Sequence, residues 1–405
     1  MTFSSISMAG PSSTDYCPAE ARVAPRTPLP RLAILADFPE EEWPSMDLVA
    51  EMLLQEMRAH HADQMQATRV CPPFRRRFGR LPGVGQRRWA SSADRLLNRH
   101  WDYARSVRRL ANHFDVFHIC DHSYAHLAHQ LRAEFTGVCC HDLDIFRCLL
   151  EPHQDPRPRW YRGLVRQTLR GLQRAALVFY GSAAVRQQME NHGLVDASRL
   201  VYTPYGVATE FSSEHADRDF PGDIRGVTDA PYLLHVGSCI PRKRIDVLLD
   251  VLAGVRARHP DVRLIQVGGQ WTELQREQIK RLNLAPAALQ FRGLDRRTLA
   301  AFYRRAAVVL LPSAAEGFGL PLVEALACGA PVVASDLPVL REVGGPACVY
   351  CPVADIPQWV ETTCAILDNP QTAPDRAGRL AWARRFTWQA HARTIVEAYQ
   401  RLVSL

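Results

Sequence analysis

Short apolar runs bounded by turn residues alternate with longer segments of helical period along most of the chain. In the first half the runs 31–36, 66–71, 115–120, 136–141, 176–181 and 199–203 have strand character. In the second half the runs 231–236, 262–267, 288–293, 307–312 and 331–334 have the same character. After the run 231–236, Ile245, Leu248, Leu249, Leu252 and Val255 fall on one helix face, and Pro260 ends the pattern. Strand, loop and helix in alternation predict parallel sheets covered by helices, so the fold class is α/β with two doubly wound domains. Both fit within 405 residues. The expected domains span 31–206 and 231–381, joined by a polar linker over 207–230 with little apolar periodicity. Residues 1–30 are rich in Ser, Pro, Thr and Ala and lack a basic stretch followed by an apolar one, which predicts a disordered leader rather than a signal peptide.

A composition of 47% hydrophobic and 22% charged residues supports a large buried core and excludes a mostly disordered or collagen-like chain. No apolar run reaches the roughly 18 residues of a membrane span. Even the stretch from Gly317 to Leu340 is broken by Glu324 and Asp336. Eleven irregularly spaced cysteines are not a disulfide framework, so a reducing, cytoplasmic setting is expected. Cys348-x-x-Cys351 has no second Cys/His pair nearby and reads as two buried thiols.

The net charge of +7 is concentrated in the first half. Eleven arginines lie between Arg75 and Arg109, against Asp94 and Asp102 alone. A second run from Arg157 to Arg174 has six arginines and no acid, with Arg162, Arg166, Arg170 and Arg174 four apart on one helix face. Such stripes are either solvated surface or contacts for an anionic partner, such as a membrane surface or a phosphorylated acceptor. A peripheral position at the inner face of the membrane follows from the second reading. No nucleic-acid partner is expected.

Two loops carry the candidate chemistry. Gly237-Ser-Cys-Ile-Pro-Arg242-Lys243-Arg244 sets three cations before a helix, against the positive end of its dipole, and an anion such as a pyrophosphate would compensate them. Glu316-Gly317-Phe318-Gly319-Leu320-Pro321-Leu322-Val323-Glu324 follows the strand run 307–312. Its glycines permit a tight turn, Pro321 suits a helix start, and the two carboxylates suit vicinal hydroxyls of a sugar or ribose. The plainer alternatives are solvated cations in the first loop and ordinary helix-start acids in the second.

From Tyr232 to Val343 the segments HVGSCIPRKRIDVLL, FRGLDRRTLAAFYRRA and EGFGLPLVEALACGAPVVASDLPVLREV resemble the donor domain of family-4 retaining glycosyltransferases. The resemblance implies a GT-B fold, in which two Rossmann-like domains face a cleft. It implies a nucleotide-diphospho-sugar donor, with Glu316 and Glu324 as the E-x7-E pair, Glu316 at the donor sugar hydroxyls and Glu324 at the ribose. Arg242 and Lys243 would neutralise the diphosphate, with Gly237 near it and the N–H groups of Phe318, Gly319 and Leu320 assisting; Gly317 completes that turn. Arg292 to Leu294 fall where the base is held. The closing helix, 382–405, resembles the family's helix that crosses back onto the N-terminal domain. The implied reaction is transfer to a saccharide or lipid-linked acceptor, with retention and no metal or other cofactor, in polysaccharide or glycoconjugate synthesis.

The N-terminal half is less similar. VCCHDLD resembles the family's strand-end His-Asp and places His141 and Asp142 at the cleft near the donor sugar. The loop after the first strand lacks the family's Gly-rich turn and holds Trp43, a candidate acceptor contact, and Ser45, a candidate helix N-cap. Tyr205 stands where Asn is usual. Asp142-Leu143-Asp144 has the spacing of the DxD metal signature of the other large glycosyltransferase fold. It lies in the opposite half from the phosphate loop and is set aside as coincidence. A nucleotide-sugar epimerase and a non-catalytic sugar-nucleotide sensor are the alternatives.

Overall fold

The computed structural model describes residues 29–41, 43–80, 83, 87–214 and 229–404. The expected leader over 1–28 and the segment 215–228 of the expected linker lie outside the described residues.

Strands β1 (Arg31–Leu35), β2 (Gln66–Val70), β3 (Val116–Ile119), β4 (Thr136–Cys140), β5 (Leu177–Tyr180) and β6 (Leu200–Tyr202) form a parallel sheet in the order β2-β1-β3-β4-β5-β6. Strands β7 (Tyr232–Gly237), β8 (Arg263–Gly268), β9 (Ala288–Phe291), β10 (Val308–Leu311), β11 (Val332–Ser335) and β12 (Val349–Cys351) form a second parallel sheet in the order β12-β11-β10-β7-β8-β9. Central strands such as β4 and β10 are buried at every position, which is why their sequences are continuous apolar runs rather than alternating ones. The sequence reading has no counterpart to β12 (Val349–Cys351).

Helix Pro44–His60 and the last helix, Trp388–Val403, cover one face of the first sheet, where Leu53, Met57, Ile395 and Tyr399 pack with Leu32 and Ile34. The Tyr399 hydroxyl donates to the Phe117 carbonyl at 2.8 Å, tying the end of the chain to β3. This helix starts at Trp388, capped by the Thr387 hydroxyl, and not at 382 as expected. Arg376–Ala383 is a separate helix beside Leu320–Ala327. The opposite face is covered by the helical segment Asn98–Tyr103 and helices Ala104–Leu110 and Arg159–Arg174, whose Tyr103, Val107, Val165 and Leu172 meet Ala33, Leu35 and Phe117.

The domains close on each other. Leu48, Val49 and Met52 of the first share one apolar cluster with Phe302, Phe318 and Leu322 of the second. The Glu342 carboxylate accepts the Ala183 N–H at 2.8 and 3.0 Å and so caps helix Ala183–Asn191 from across the cleft. The predicted linker opens with fixed residues: the Val207 N–H bonds the Phe386 carbonyl, and the Phe211 ring packs against Tyr303.

Candidate active site in the interdomain cleft

In each sheet the strand order reverses once, between β1 and β3 in the first and between β7 and β10 in the second. Ligands of doubly wound sheets bind beyond the strand C-termini at such points. In the second sheet the two loops that flank this point are those singled out from the sequence.

Pro241–Lys243 forms a single 3₁₀ turn, and Arg244 takes the left-handed conformation at φ 49° before helix Ile245–Arg256. The turn is tied to the facing loop by the Ala314 N–H, which bonds the Arg242 carbonyl at 2.8 Å. Lys243 Nζ lies 2.6 Å from Glu316 Oε1, which also accepts the Ser313 hydroxyl at 2.7 Å. One Arg242 nitrogen lies 3.4 Å from Glu316 Oε2. The Glu316 side chain is 5% exposed. Burial alone would raise its pKa, but Lys243, Arg242 and the Ser313 hydroxyl together hold it below the ordinary value, so it is a carboxylate. His235 lies buried beneath Lys243, and burial with that ammonium pushes its pKa down to about 3.

Gly317 and Gly319 are where glycine is required. A Cβ on Gly317 would stand 2.0 Å from the His141 carbonyl oxygen across the cleft, and Gly319 has φ 99° as it opens helix Leu320–Ala327. Pro321 lies in the first turn, as expected. Among the described residues no acceptor is found for the N–H groups of Phe318, Gly319 and Leu320, which leaves them open to an anion at the helix start.

Glu324 is the fifth residue of that helix rather than part of its first turn. It is buried and accepts the Tyr303 hydroxyl at 3.0 Å. Burial raises its pKa to about 7, against the opposing pull of Tyr303 and Arg296. Arg292 is exposed, and Leu294 is partly buried against the interdomain cluster, both in the β9 loop that ends at helix Arg296–Arg305. That loop lies at the C-terminal edge of the sheet, two strands from the β7 turn.

The N-terminal wall differs from expectation. His141 does reach the cleft, but both its ring nitrogens are committed. Nε2 lies 2.6 Å from the Cys120 carbonyl, which can only accept, so Nε2 carries the hydrogen and Nδ1 accepts from the Tyr205 hydroxyl at 2.5 Å. Burial holds the ring neutral. Tyr205, seen in the sequence only as a departure from pattern, is thus what fixes His141.

Asp142 and Asp144 require a correction. They do not lie away from the phosphate loop: Arg242 reaches across the cleft to Asp144 at 3.2 Å and to Asp142 at 3.7 Å. The two halves of the sequence meet in space here because β4 and β7 both end at the cleft. Among the described residues no group of His, Cys, Asp and Glu is arranged to hold a metal ion.

Trp43 is 45% exposed, and no described contact joins it to this cluster. Ser45 is not the cap, because Pro44 opens the helix and Trp43 holds the cap position.

Sequence reasoning missed the cluster at the β1/β3 reversal. Asp121 accepts from the Ser123 N–H and hydroxyl at 2.8 and 2.7 Å, lies 3.2 Å from His122, and His122 in turn lies 3.6 Å from Asp142. Arg99 pairs with Glu41 at 2.7 Å. Asp37 is buried with neither carboxylate oxygen bonded, and burial and then Asp121 raise its pKa well above the usual range. The available signal was position: Asp37 and Asp121 each directly follow a predicted strand, and His122 comes next.

Two parallel-sheet domains closing on a cleft, with the reversal points of both sheets facing it, define the GT-B fold. Residues 49–211 match the family model described as Glycosyltransferase Family 4, and residues 230–369 match the one described as Glycosyl transferases group 1. The chain is 32% identical over 233 residues to D-inositol 3-phosphate glycosyltransferase 2 of Catenulispora acidiphila, covering 51% of this chain and 54% of that protein. It therefore spans about half the length of that relative. It is 29% identical over 289 residues to O-antigen chain mannosyltransferase B of Escherichia coli, covering 68% and 72%. Among solved structures, sucrose-phosphate synthase from Thermosynechococcus elongatus superposes with a TM-score of 0.67 at 19% identity over 93% of this chain and 99% of that one. The Anabaena protein HepE in complex with UDP-glucose superposes with 0.68 at 17% over 93% and 99%.

Proposed function

We propose that the protein transfers a glycosyl group, with retention, from a nucleotide-diphospho-sugar to a saccharide or lipid-linked acceptor. The observation that carries this reading is the pairing of Lys243 and Arg242 with buried Glu316 beside the open N–H groups at the start of helix Leu320–Ala327. The diphosphate takes those cations and N–H groups, Glu316 accepts hydroxyls of the donor sugar, and Glu324 those of the ribose. As the bond from the anomeric carbon to the diphosphate breaks, its electron pair leaves with the diphosphate, the acceptor oxygen forms the new bond to that carbon, and the acceptor's hydroxyl proton passes to the departing diphosphate oxygen. No carboxylate is assigned as a covalent nucleophile; retention rests on the family resemblance. His141 is a positioning residue, its ring clamped and its carbonyl against Gly317. The two relatives named above are an O-antigen chain mannosyltransferase and an inositol-phosphate glycosyltransferase, which supports a hexosyl donor and assembly of polysaccharide or glycoconjugate.

The test of donor binding is thermal stabilisation across a panel of nucleotide sugars. A ligand present at 100 times its Kd is expected to add about 2.7 kcal/mol to stability. No shift with any member contradicts the reading.

Because the diphosphate charge meets Arg242, Lys243 and a helix start, activity is expected to survive EDTA. Complete loss that manganese or magnesium restores would instead give Asp142 and Asp144 a metal. The same pair yields a second prediction. Asp144 competes with the diphosphate for Arg242, so Asp144→Asn is expected to tighten binding of a nucleoside diphosphate by up to about fivefold, the worth of a part-exposed ion pair. Weaker binding by calorimetry would show that Asp144 supports the donor.

A further inference from the structure

The arginine-rich segments take no part in the site, apart from Arg99. In the helical stretch 88–110 the two acids are turned inward. Asp94 accepts the N–H groups of Arg77, Phe78 and Gly79 at 2.9–3.0 Å, and Asp102 pairs with Arg77 at 2.7 Å. The outward side holds Trp89 at 51% exposure and Trp101 at 66%, with exposed Arg105, Arg108 and Arg109. In helix Arg159–Arg174, Val165, Thr168 and Leu172 face the sheet. The opposite side carries Trp160 at 60% exposure with exposed Arg166, Arg170 and Arg174, and no acid. Residues 98–110 of the first element and helix Arg159–Arg174 pack on the same segment, His122–Gln130, so these faces are neighbours on one layer of the N-terminal domain, with Trp89 on the helix that runs directly into residues 98–103. Among the described residues none of these six arginines has an ion-pair partner. No helix of the described residues is long and apolar enough to cross a membrane.

Exposed tryptophan is costly in water unless a second phase receives the ring, and its amphipathic ring suits the headgroup level of a bilayer. Arginine on the same face suits anionic headgroups. Binding through phosphate charge alone would need the arginines but not three tryptophans standing among them. We infer that this layer of the N-terminal domain docks on an anionic lipid surface, with Trp89, Trp101 and Trp160 at headgroup level. The inference deepens the transferase reading by supplying the lipid-linked acceptor's location, but the binding itself needs no donor.

The test is co-sedimentation of the full chain, without nucleotide, with vesicles of phosphatidylcholine alone or mixed with phosphatidylglycerol. Binding is expected only to the mixed vesicles, and it should fade as the Debye length falls from about 10 Å at 0.1 M salt to about 3 Å at 1 M. Each arginine near the surface is worth about fivefold in partition, so the triple variant Arg166→Gln, Arg170→Gln, Arg174→Gln should lose about a hundredfold. Tryptophan emission should shift to shorter wavelength on mixed vesicles, and less so in Trp101→Phe with Trp160→Phe. Unchanged nucleotide-sugar binding by the variants shows that they are folded. Equal binding to neutral vesicles, binding to neither, or capture of a DNA duplex with vesicles ignored overturns the inference and leaves the transferase reading standing.

Discussion

Lys243→Ala is expected to lower turnover about 100- to 1,000-fold, the cost of removing one preorganised donor to developing charge, with a smaller change in donor affinity. In the free protein the ammonium is held by Glu316 at 2.6 Å, so binding the donor exchanges one anionic partner for another and gains little. As the glycosidic bond breaks, the diphosphate gains charge and Glu316 does not, so the preference of Lys243 for the diphosphate grows only in the transition state. The loss should therefore fall on kcat more than on KM. The melting temperature must be followed in parallel, since the substitution leaves Glu316 buried with Arg242 and Ser313 as its remaining partners. A change confined to KM would place Lys243 in uniform binding instead.

Glu324→Gln should differ in kind. Glu324 is buried on the helix that starts at the phosphate site, and a carboxylate accepting a hydroxyl is worth about 1.5–3 kcal/mol. Donor affinity is thus expected to fall roughly ten- to a hundredfold, with a smaller fall in turnover. Its pKa gives the prediction a sign. Burial raises it to about 7, so the group is largely protonated below neutrality and ionises above. If ribose hydroxyls bond the ionised form, donor binding releases a proton, and wild-type affinity climbs by up to tenfold per pH unit until it levels off above about pH 7. The Gln variant should show no such climb. A carboxyl raised in this way costs the fold stability as pH rises from the ordinary carboxylate range to about 7, with the full cost present above, so the variant should melt no lower than wild type at alkaline pH. Affinity in the wild type that falls as pH rises contradicts the ribose assignment.

Eleven strands were legible, the central ones because a fully buried parallel strand is a short, unbroken apolar run, and the loops after β7 and β10 were legible because glycines, cations and carboxylates are locally unusual there. The facing wall was not. Asp142 and Asp144 meet Arg242 only because the domains close, and a distance between two domains leaves no trace in local spacing. The commitment of both His141 nitrogens was equally hidden, since it depends on a tyrosine 64 positions later in the chain. The arginine stripes were visible as charge, but which arginines are free depended on where Asp94, Asp102 and Glu41 point. Arg77 and Arg99 belong to internal pairs, whereas Arg166, Arg170 and Arg174 do not.

The most direct test of the central claim is to incubate the purified protein with a panel of nucleotide sugars, with and without saccharide and lipid-linked acceptors, and follow nucleoside diphosphate and sugar products together. The account predicts that one donor releases nucleoside diphosphate in step with a glycosylated acceptor. A donor that binds yet yields neither product across the panel, or one that is only isomerised without acceptor, would contradict it.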